Sequence, residues 1–250
     1  MRKYDFLFFD LDNTLWDFST NAKAALLQTL QDLNYIHQIS SFEDYFLVYE
    51  EINDSLWVDY RAKKVTKQFL IVERFSRSLT SFNITNQDWE AINRYYLECM
   101  GNQTALFPQT IETLDYLKAK GYQMYIITNG FKEVQYDKLQ NSGIASYFDR
   151  VFVSEELQTA KPHRQIFEHA LKSSNAAKKK SIMIGDSWEI DIEGAAAFGM
   201  DQIMILNNGL NAIPDNIKSK VLTNNSNHLE IKPPRKTFFL NQIKDLVTIL

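Results

Sequence analysis

Two carboxylates separated by one residue follow a strongly apolar run near the start of the chain. The stretch FLFFDLDNTL, residues 6–15, contains Asp10 and Asp12 directly after that run. Like charges so close disfavour joint ionisation unless a cation offsets them, and carboxylate oxygens suit Mg²⁺. A carboxylate can also attack phosphorus and form an aspartyl-phosphate, while a neighbouring carboxyl exchanges protons with the leaving oxygen and with water. We therefore expect Asp10 to be a nucleophile and Asp12 a general acid and base.

Other polar residues stand where later apolar runs end, and we expect them at the same edge of a sheet. In an open α/β sheet, ligands bind beyond the carboxyl ends of the strands. The candidates are Thr14 after the first run, Thr128, Asn129 and Gly130 after the second, Lys161 in a loop, and Asp186, Ser187 and Asp191 after a later run.

The chemistry of these candidates divides into a phosphate-binding set and a metal-binding set. The Thr128 hydroxyl and the amide of Asn129 can donate to a phosphoryl oxygen, and Lys161 can supply positive charge. Thr14 and Gly130 belong to the same predicted substrate-binding set.

The predicted metal site is acidic. Asp186 would complete a Mg²⁺ site with the Asp10 carboxylate and the backbone carbonyl of Asp12. Asp191 and Ser187 would support that site, Asp191 by orienting a metal-bound water or a neighbouring lysine.

Short apolar runs that alternate with helical patterns must position these residues. The runs are residues 4–9, 122–127, 149–153, 181–185 and 202–206. Each is typical of a strand buried on both faces, as a parallel sheet requires. Helical patterns at 109–120, 131–141, 164–173 and 189–198 separate the later runs. This alternation predicts an α/β fold with a doubly wound parallel sheet.

Residues 17–104 carry only helical patterns. Ser19 or Thr20 is expected to cap the first helix, and aromatic residues recur at helical spacing in the others, as in the core of a bundle. The predicted organisation is a helical insert at 17–104 within a core formed by 1–16 and 105–250. In the tail, we expect a short strand near 228–231 and a last helix near 239–249, with Pro214, Pro233 and Pro234 in the same tail.

The composition excludes several classes of protein. The 250 residues are 45% hydrophobic and carry a net charge of −4, which disfavours a nucleic-acid polymer as partner. The single cysteine, Cys99, excludes an internal disulfide and fits a reducing compartment. No apolar run approaches the roughly 20 residues of a membrane helix. We expect a cytoplasmic protein, monomeric or homodimeric, with no membrane partner.

Four segments together resemble the signature motifs of the haloacid dehalogenase-like hydrolases. They are residues 10–15 (DLDNTL), 126–130 (IITNG), 160–162 (AKP) and 185–191 (GDSWEID). The resemblance implies a Rossmann-like core, Mg²⁺ and phosphoryl transfer through Asp10. The helical insert is similar to the small cap of one subclass, which closes over the site. His163 and Arg164 follow Lys-Pro where relatives often carry Asp-Pro, and the carbon–halogen branch lacks an acid at the position of Asp12.

A finer resemblance points to the pyrimidine 5′-nucleotidase-like group, through DLDNTLWDF, TNG and GDSWEIDIEGA. It implies a small phosphorylated metabolite, a nucleoside 5′-monophosphate, as substrate. Trp16 and Phe18, where the chain enters the insert, could then stack on the base. One alternative is a phosphatase of sugar phosphates or phosphoglycolate. Another, from a different class, is a phospho-aspartate signalling module, although such modules place two acids adjacent at the first strand and lack the insert.

Overall fold

Seven strands form one sheet in the part of the chain that the computed structural model describes, residues 2–207, 209, 213–223, 228–232 and 235–250. They are β1 (Phe6–Phe9), β2 (Gln123–Thr128), β3 (Arg150–Val153), β4 (Ser181–Gly185), β5 (Asp201–Ile205), β6 (His228–Lys232) and β7 (Arg235–Leu240). Their order is β3-β2-β1-β4-β5-β7-β6, and only β6 pairs antiparallel. The predicted doubly wound sheet is confirmed.

The helices follow the predicted alternation. They are α1 (Phe18–Asp32), α2 (Phe42–Arg61), α3 (Lys67–Thr80), α4 (Trp89–Gly101), α5 (Thr110–Ala119), α6 (Lys132–Asn141), α7 (Ser154–Leu157), α8 (Arg164–Ser173), α9 (Gly194–Phe198) and α10 (Asp215–Thr223). A π-helical segment, Trp188–Glu193, precedes α9.

The central strand β1 is buried on both faces, which is why its sequence is continuously apolar. Leu7, Phe8 and Phe9 have no exposed surface, and each contributes about 1.5–3 kcal/mol by its burial. The Phe8 ring stacks on Tyr125 of β2 at 4.9 Å between centroids, and Phe9 meets Phe148 edge-on at 6.0 Å. The polar residue that follows such a strand is therefore held in one place.

The chain divides into two units, Met1–Phe18 with Thr104–Leu250, and the insert Ser19–Gln103. In the insert, Ser41, Thr66 and Asp88 cap α2, α3 and α4 with their side-chain oxygens. The helices enclose a cluster of aromatic rings. Its members are Tyr45, Tyr49, Phe75 and Tyr96, with neighbouring centroids 5.4–6.3 Å apart.

Some expectations about segment ends differ from the structure. Helix α1 begins at Phe18, so Ser19 and Thr20 lie within its first turn and do not cap it from outside. The strand near 228–231 is present as β6, but the helix near 239–249 was wrong because Phe239 and Leu240 belong to β7, before a 3-10 helix at Ile243–Thr248. Pro233 and Pro234 lie outside the described residues.

The described helices also bear on the membrane question. None of them combines the length and the apolar character needed to cross a bilayer.

Candidate active site

The loop after β1 turns sharply and fixes the two carboxylates of the first motif. The backbone amide of Asp10 donates to Ile184 O of β4 at 2.8 Å. The carbonyl of Leu11 accepts from the backbone amides of Thr14, Leu15 and Trp16 at 3.0–3.3 Å. Asn13 completes the turn with a left-handed φ of 60°, a conformation that asparagine tolerates better than most residues.

Asp10 is buried against a lysine from another strand end. Lys161 Nζ lies 2.5 Å from Asp10 Oδ1 and 2.8 Å from Asp191 Oδ1. Burial alone would lower the pKa of Lys161, but these two carboxylates raise it above its ordinary value. Lys161 therefore stays charged beside the predicted nucleophile.

Three carboxylates gather around that lysine. One oxygen each of Asp10, Asp186 and Asp191 lies within 4.8 Å of the others. Burial raises the pKa of Asp10 to about 7 and that of Asp186 well above its usual range, and the neighbouring carboxylates add to both shifts. Thr14 donates from Oγ1 to Asp186 Oδ1 at 3.2 Å. A buried set of hard oxygens with excess negative charge fits a divalent cation such as Mg²⁺.

Asp191 reaches this cluster because the strand end beneath it is glycine. A Cβ on Gly185 would lie 2.5 Å from Asp191 Cγ. The backbone amide of Ser187 donates to Asp191 Oδ2 at 3.1 Å, and Asp191 lies in the π-helical segment. Such π-turns are frequent at functional sites.

Asn129 and Thr128 follow β2 and contact neighbouring loops. Asn129 donates from Nδ2 to Lys161 O and accepts at Oδ1 from Lys161 N, both at 2.9 Å. Thr128 Oγ1 accepts from Gly130 N and from Gln135 Nε2, both at 3.1 Å. With these two acceptor positions used, the Thr128 hydroxyl keeps its proton for another partner.

Asp12 lies apart from the acidic cluster and contacts two residues that the sequence reasoning missed. Lys138 Nζ donates to Asp12 Oδ1 at 2.7 Å, and Gln135 Nε2 donates to Asp12 Oδ2 at 2.9 Å. Both donors are buried on the inner face of α6. Their spacing, polar residues beside Val134 and Leu139 in a helix facing the sheet, was the available signal.

Trp16 and Phe18 lie on the other side of Lys138. Lys138 Nζ is 4.1 Å from the Trp16 ring centroid and 5.4 Å from that of Phe18. Trp16 has no exposed surface, which argues against it as a stacking platform, whereas Phe18 is partly exposed.

One further missed residue supports the first loop. Asn207, after β5, donates from Nδ2 to the carbonyls of Asn13 and Thr14 at 3.1 and 3.3 Å. Asp10 and Asp12 thus each contact a different lysine, and the first loop meets groups from β2, β4 and β5.

Comparisons with known proteins point in one direction. The family model for haloacid dehalogenase-like hydrolases matches residues 4–199, and a second, HAD-hydrolase-like model matches residues 158–246. The pyrimidine 5′-nucleotidase PynA of Streptococcus pneumoniae is 36% identical over 201 residues, covering 80% of this chain and 83% of that protein.

Two other curated relatives have different substrates in their names. The pyrimidine 5′-nucleotidase YjjG of Escherichia coli is 30% identical over 79% of this chain and 84% of its own length. A glyceraldehyde 3-phosphate phosphatase of Methanothermobacter thermautotrophicus is 31% identical over 80% of this chain and 84% of its own.

Among solved structures, the putative HAD-hydrolase YfnB of Bacillus subtilis, bound to magnesium, superposes with a TM-score of 0.82. It is 25% identical, and the match covers 100% of this chain and 99% of that one.

Proposed function

The chain belongs to the haloacid dehalogenase-like hydrolases, and on that premise we propose that it is a Mg²⁺-dependent phosphomonoesterase. One observation carries the proposal: the two carboxylates of the first motif have separate environments. Asp10 contacts Lys161 beside an acidic cluster, and Asp12 contacts Lys138 and Gln135. A nucleophile and a proton donor need such different surroundings, and a carbon–halogen hydrolase has no use for the second acid.

The cation would be held by Asp10, Asp186 and the backbone carbonyl of Asp12, with Asp191 in support. When bound, it supplies positive charge that offsets the carboxylates and draws a phosphoryl oxygen to the site. Lys161, the Thr128 hydroxyl and a backbone amide at Asn129 or Gly130 would orient the other phosphoryl oxygens.

The reaction would proceed in two displacements at phosphorus. An Asp10 oxygen forms a bond to phosphorus while the ester P–O bond breaks. The bonding pair stays on the leaving oxygen, which takes the proton of the Asp12 carboxyl and departs as an alcohol. Water then gives a proton to the Asp12 carboxylate, and its oxygen bonds to phosphorus. The aspartyl-phosphate bond breaks, so inorganic phosphate is released and the Asp10 carboxylate is restored.

Phosphate release over time tests this proposal. With p-nitrophenyl phosphate and Mg²⁺, we expect many turnovers per chain, loss of activity in EDTA and recovery on adding Mg²⁺. A burst of one phosphate per chain without further turnover would instead support the phospho-aspartate signalling module. Chloride release from 2-chloropropionate without phosphatase activity would support a dehalogenase.

Nucleoside 5′-monophosphates are the proposed substrate class. The support is similarity to two pyrimidine 5′-nucleotidases over about four fifths of the chain. A relative that acts on glyceraldehyde 3-phosphate keeps sugar phosphates and phosphoglycolate as the second candidate class. A screen of kcat/KM over UMP, dUMP, sugar phosphates and phosphoglycolate separates them, and no preference for nucleotides would contradict the nucleotidase assignment alone.

Phe18 is the better candidate for contact with a base, because Trp16 is fully buried. If Phe18 stacks on the base, Phe18→Ala should lower kcat/KM for UMP by roughly 1–3 kcal/mol, the range for base–aromatic stacking. Acetyl phosphate, which has no base, should be hydrolysed at nearly the same rate. Equal losses on both substrates would mean that Phe18 serves packing.

A further inference from the structure

Helix α6 contributes two buried polar side chains to Asp12, and we propose that Gln135 and Lys138 are positioning residues for the proton transfer to the leaving group. This inference rests on the phosphomonoesterase proposed above. It assigns a role to a helix that none of the four sequence motifs includes. The residues would act through Asp12 and would not contact phosphorus themselves.

The first support is that the two donors account for both oxygens of one carboxylate. Lys138 Nζ is 2.7 Å from Asp12 Oδ1, and Gln135 Nε2 is 2.9 Å from Oδ2. A carboxylate only accepts, so the amide of Gln135 must present its nitrogen there. Two donors on opposite oxygens fix the plane of the carboxyl group. Each oxygen retains a second lone pair, and the Asp12 side chain remains 24% exposed, so a proton can still be exchanged.

The second support is the burial of the donors. Lys138 is 3% exposed and Gln135 is 1% exposed. Lysine is almost never fully buried unless it is paired, and Asp12 is the carboxylate that it contacts. The Trp16 ring lies over the same ammonium group and keeps it in place. A surface helix has no need of these side chains on its inner face unless they hold something there.

The third support is a glycine that makes room for Gln135. A Cβ on Gly130 would lie 2.5 Å from Gln135 Cδ, so any other residue would displace the amide. The same amide nitrogen also donates to Thr128 Oγ1 at 3.1 Å. Gln135 therefore joins the proposed acid to the proposed phosphate-binding hydroxyl, and a shift of this one side chain would disturb both.

The test exploits the fact that leaving groups differ in their need for a proton. An alkoxide leaves poorly unless it is protonated, whereas p-nitrophenolate leaves without help. We compare kcat/KM for UMP or β-glycerol phosphate with that for p-nitrophenyl phosphate, because this ratio reports the first displacement only. In Gln135→Leu and Lys138→Met, we expect a loss of roughly 10²-fold on the alkyl esters, the scale of a ~1 Å misplacement. The loss on p-nitrophenyl phosphate should be much smaller.

Two further variants guard against a general effect on folding. Gln135→Glu keeps the size of the side chain but presents oxygen to Asp12, so it should reproduce the selective loss. Lys138→Arg keeps charge and donors and should restore part of the rate. Matched controls on the exposed face of α6, Gln140→Leu and Lys132→Met, should leave both esters unaffected.

A double-variant experiment completes the test. In an Asp12→Ala background, adding Gln135→Leu or Lys138→Met should cause no further loss on alkyl esters, because residues that act through one group are not additive. Equal losses on alkyl and nitrophenyl esters, or a full further loss in the Asp12→Ala background, would overturn the positioning role while leaving the phosphatase intact. Absence of turnover on every ester by the unsubstituted protein would overturn the proposed function, and this inference with it.

Discussion

The side-chain amide of Asn129 bonds both backbone polar groups of Lys161: Nδ2 donates to the carbonyl and Oδ1 accepts from the amide, both at 2.9 Å. A carboxamide is the side chain that can do both at once. The loop bearing the buried ammonium group is thereby tied to the end of β2. The position of Lys161 beside Asp10 depends on a residue that was expected only to bind substrate.

We predict that Asn129→Ala lowers kcat/KM for any phosphomonoester by roughly 10–10²-fold, because Lys161 shifts by a fraction of an ångström to about 1 Å. Asn129→Asp keeps the acceptor, loses the donor and should lie between. Steady-state kinetics measure this. The exposed Asn102→Ala is the matched control. Unchanged kinetics in Asn129→Ala would show that the Lys161 loop holds its position unaided.

A second prediction concerns the nucleophile. Asp10→Asn should abolish turnover and leave the fold intact, because an amide of nearly equal size cannot form the acyl-phosphate. In EDTA the variant should also unfold at a higher temperature, since one of three crowded carboxylates has lost its charge. Activity and thermal unfolding are measured beside Asp137→Asn, an exposed site on α6. Substantial phosphatase activity in Asp10→Asn would refute covalent catalysis.

A third prediction concerns pH and Mg²⁺. The pKa values of Asp10 and Asp186 are raised in the folded protein, so between about pH 4 and about pH 7 the folded state binds more protons than the unfolded chain. Their contribution to the free energy of unfolding is therefore complete below the unfolded pKa of about 3.9 and is lost as pH rises through the folded values.

Mg²⁺ should compensate for that loss. In thermal unfolding, we expect a larger stabilisation by Mg²⁺ at about pH 7.5 than at about pH 5, where protons compete for the same oxygens. Asp186→Asn should diminish the Mg²⁺ effect at both pH values. An equal stabilisation at the two pH values in the unsubstituted protein would contradict the acidic cluster as the binding site.

A fourth prediction tests the close approach at the end of β4. Gly185→Ala should reduce the free energy of unfolding by about 1–3 kcal/mol, because its methyl group would meet Asp191. In the double variant with Asp191→Ala the clash is gone, so the combined loss should be smaller than the sum of the single losses by about 0.5–3 kcal/mol. Chemical denaturation of the four proteins measures this. Strict additivity would mean that the strand moves and the side chain does not.

The sheet was predictable to the extent that burial is written in local sequence. Runs such as FLFF and SIMIG have both faces covered, so every position is apolar and β1 and β4 could be located from residues 4–9 and 181–185. Strand β7 was missed because its apolar half is short and its charged start is accommodated by a distant partner. The backbone amide of Lys236 donates to Asp201 Oδ1, and Thr237 donates to Gln202 Oε1.

The site was predictable where it lies at strand ends and not where a helix reaches back. Asp10, Thr128 and Asp186 each follow a buried strand, so their meeting follows from the parallel order. Lys138 and Gln135 meet Asp12 across more than one hundred residues of sequence, through the angle at which α6 packs. Nothing local in the sequence fixes that angle.

The central place of β1 has a consequence for how the protein is made. Phe6 pairs with Gln123 on one side and Ser181 on the other, so β1 leaves the ribosome more than one hundred residues before either neighbour. At roughly 5–20 residues per second, its apolar edges wait on the order of 6–20 s for a partner. The insert Ser19–Gln103, with its own aromatic core, is complete before β2 emerges. During synthesis, the first strand of the enzyme is therefore a natural client for a chaperone, while the insert has what it needs to fold at once.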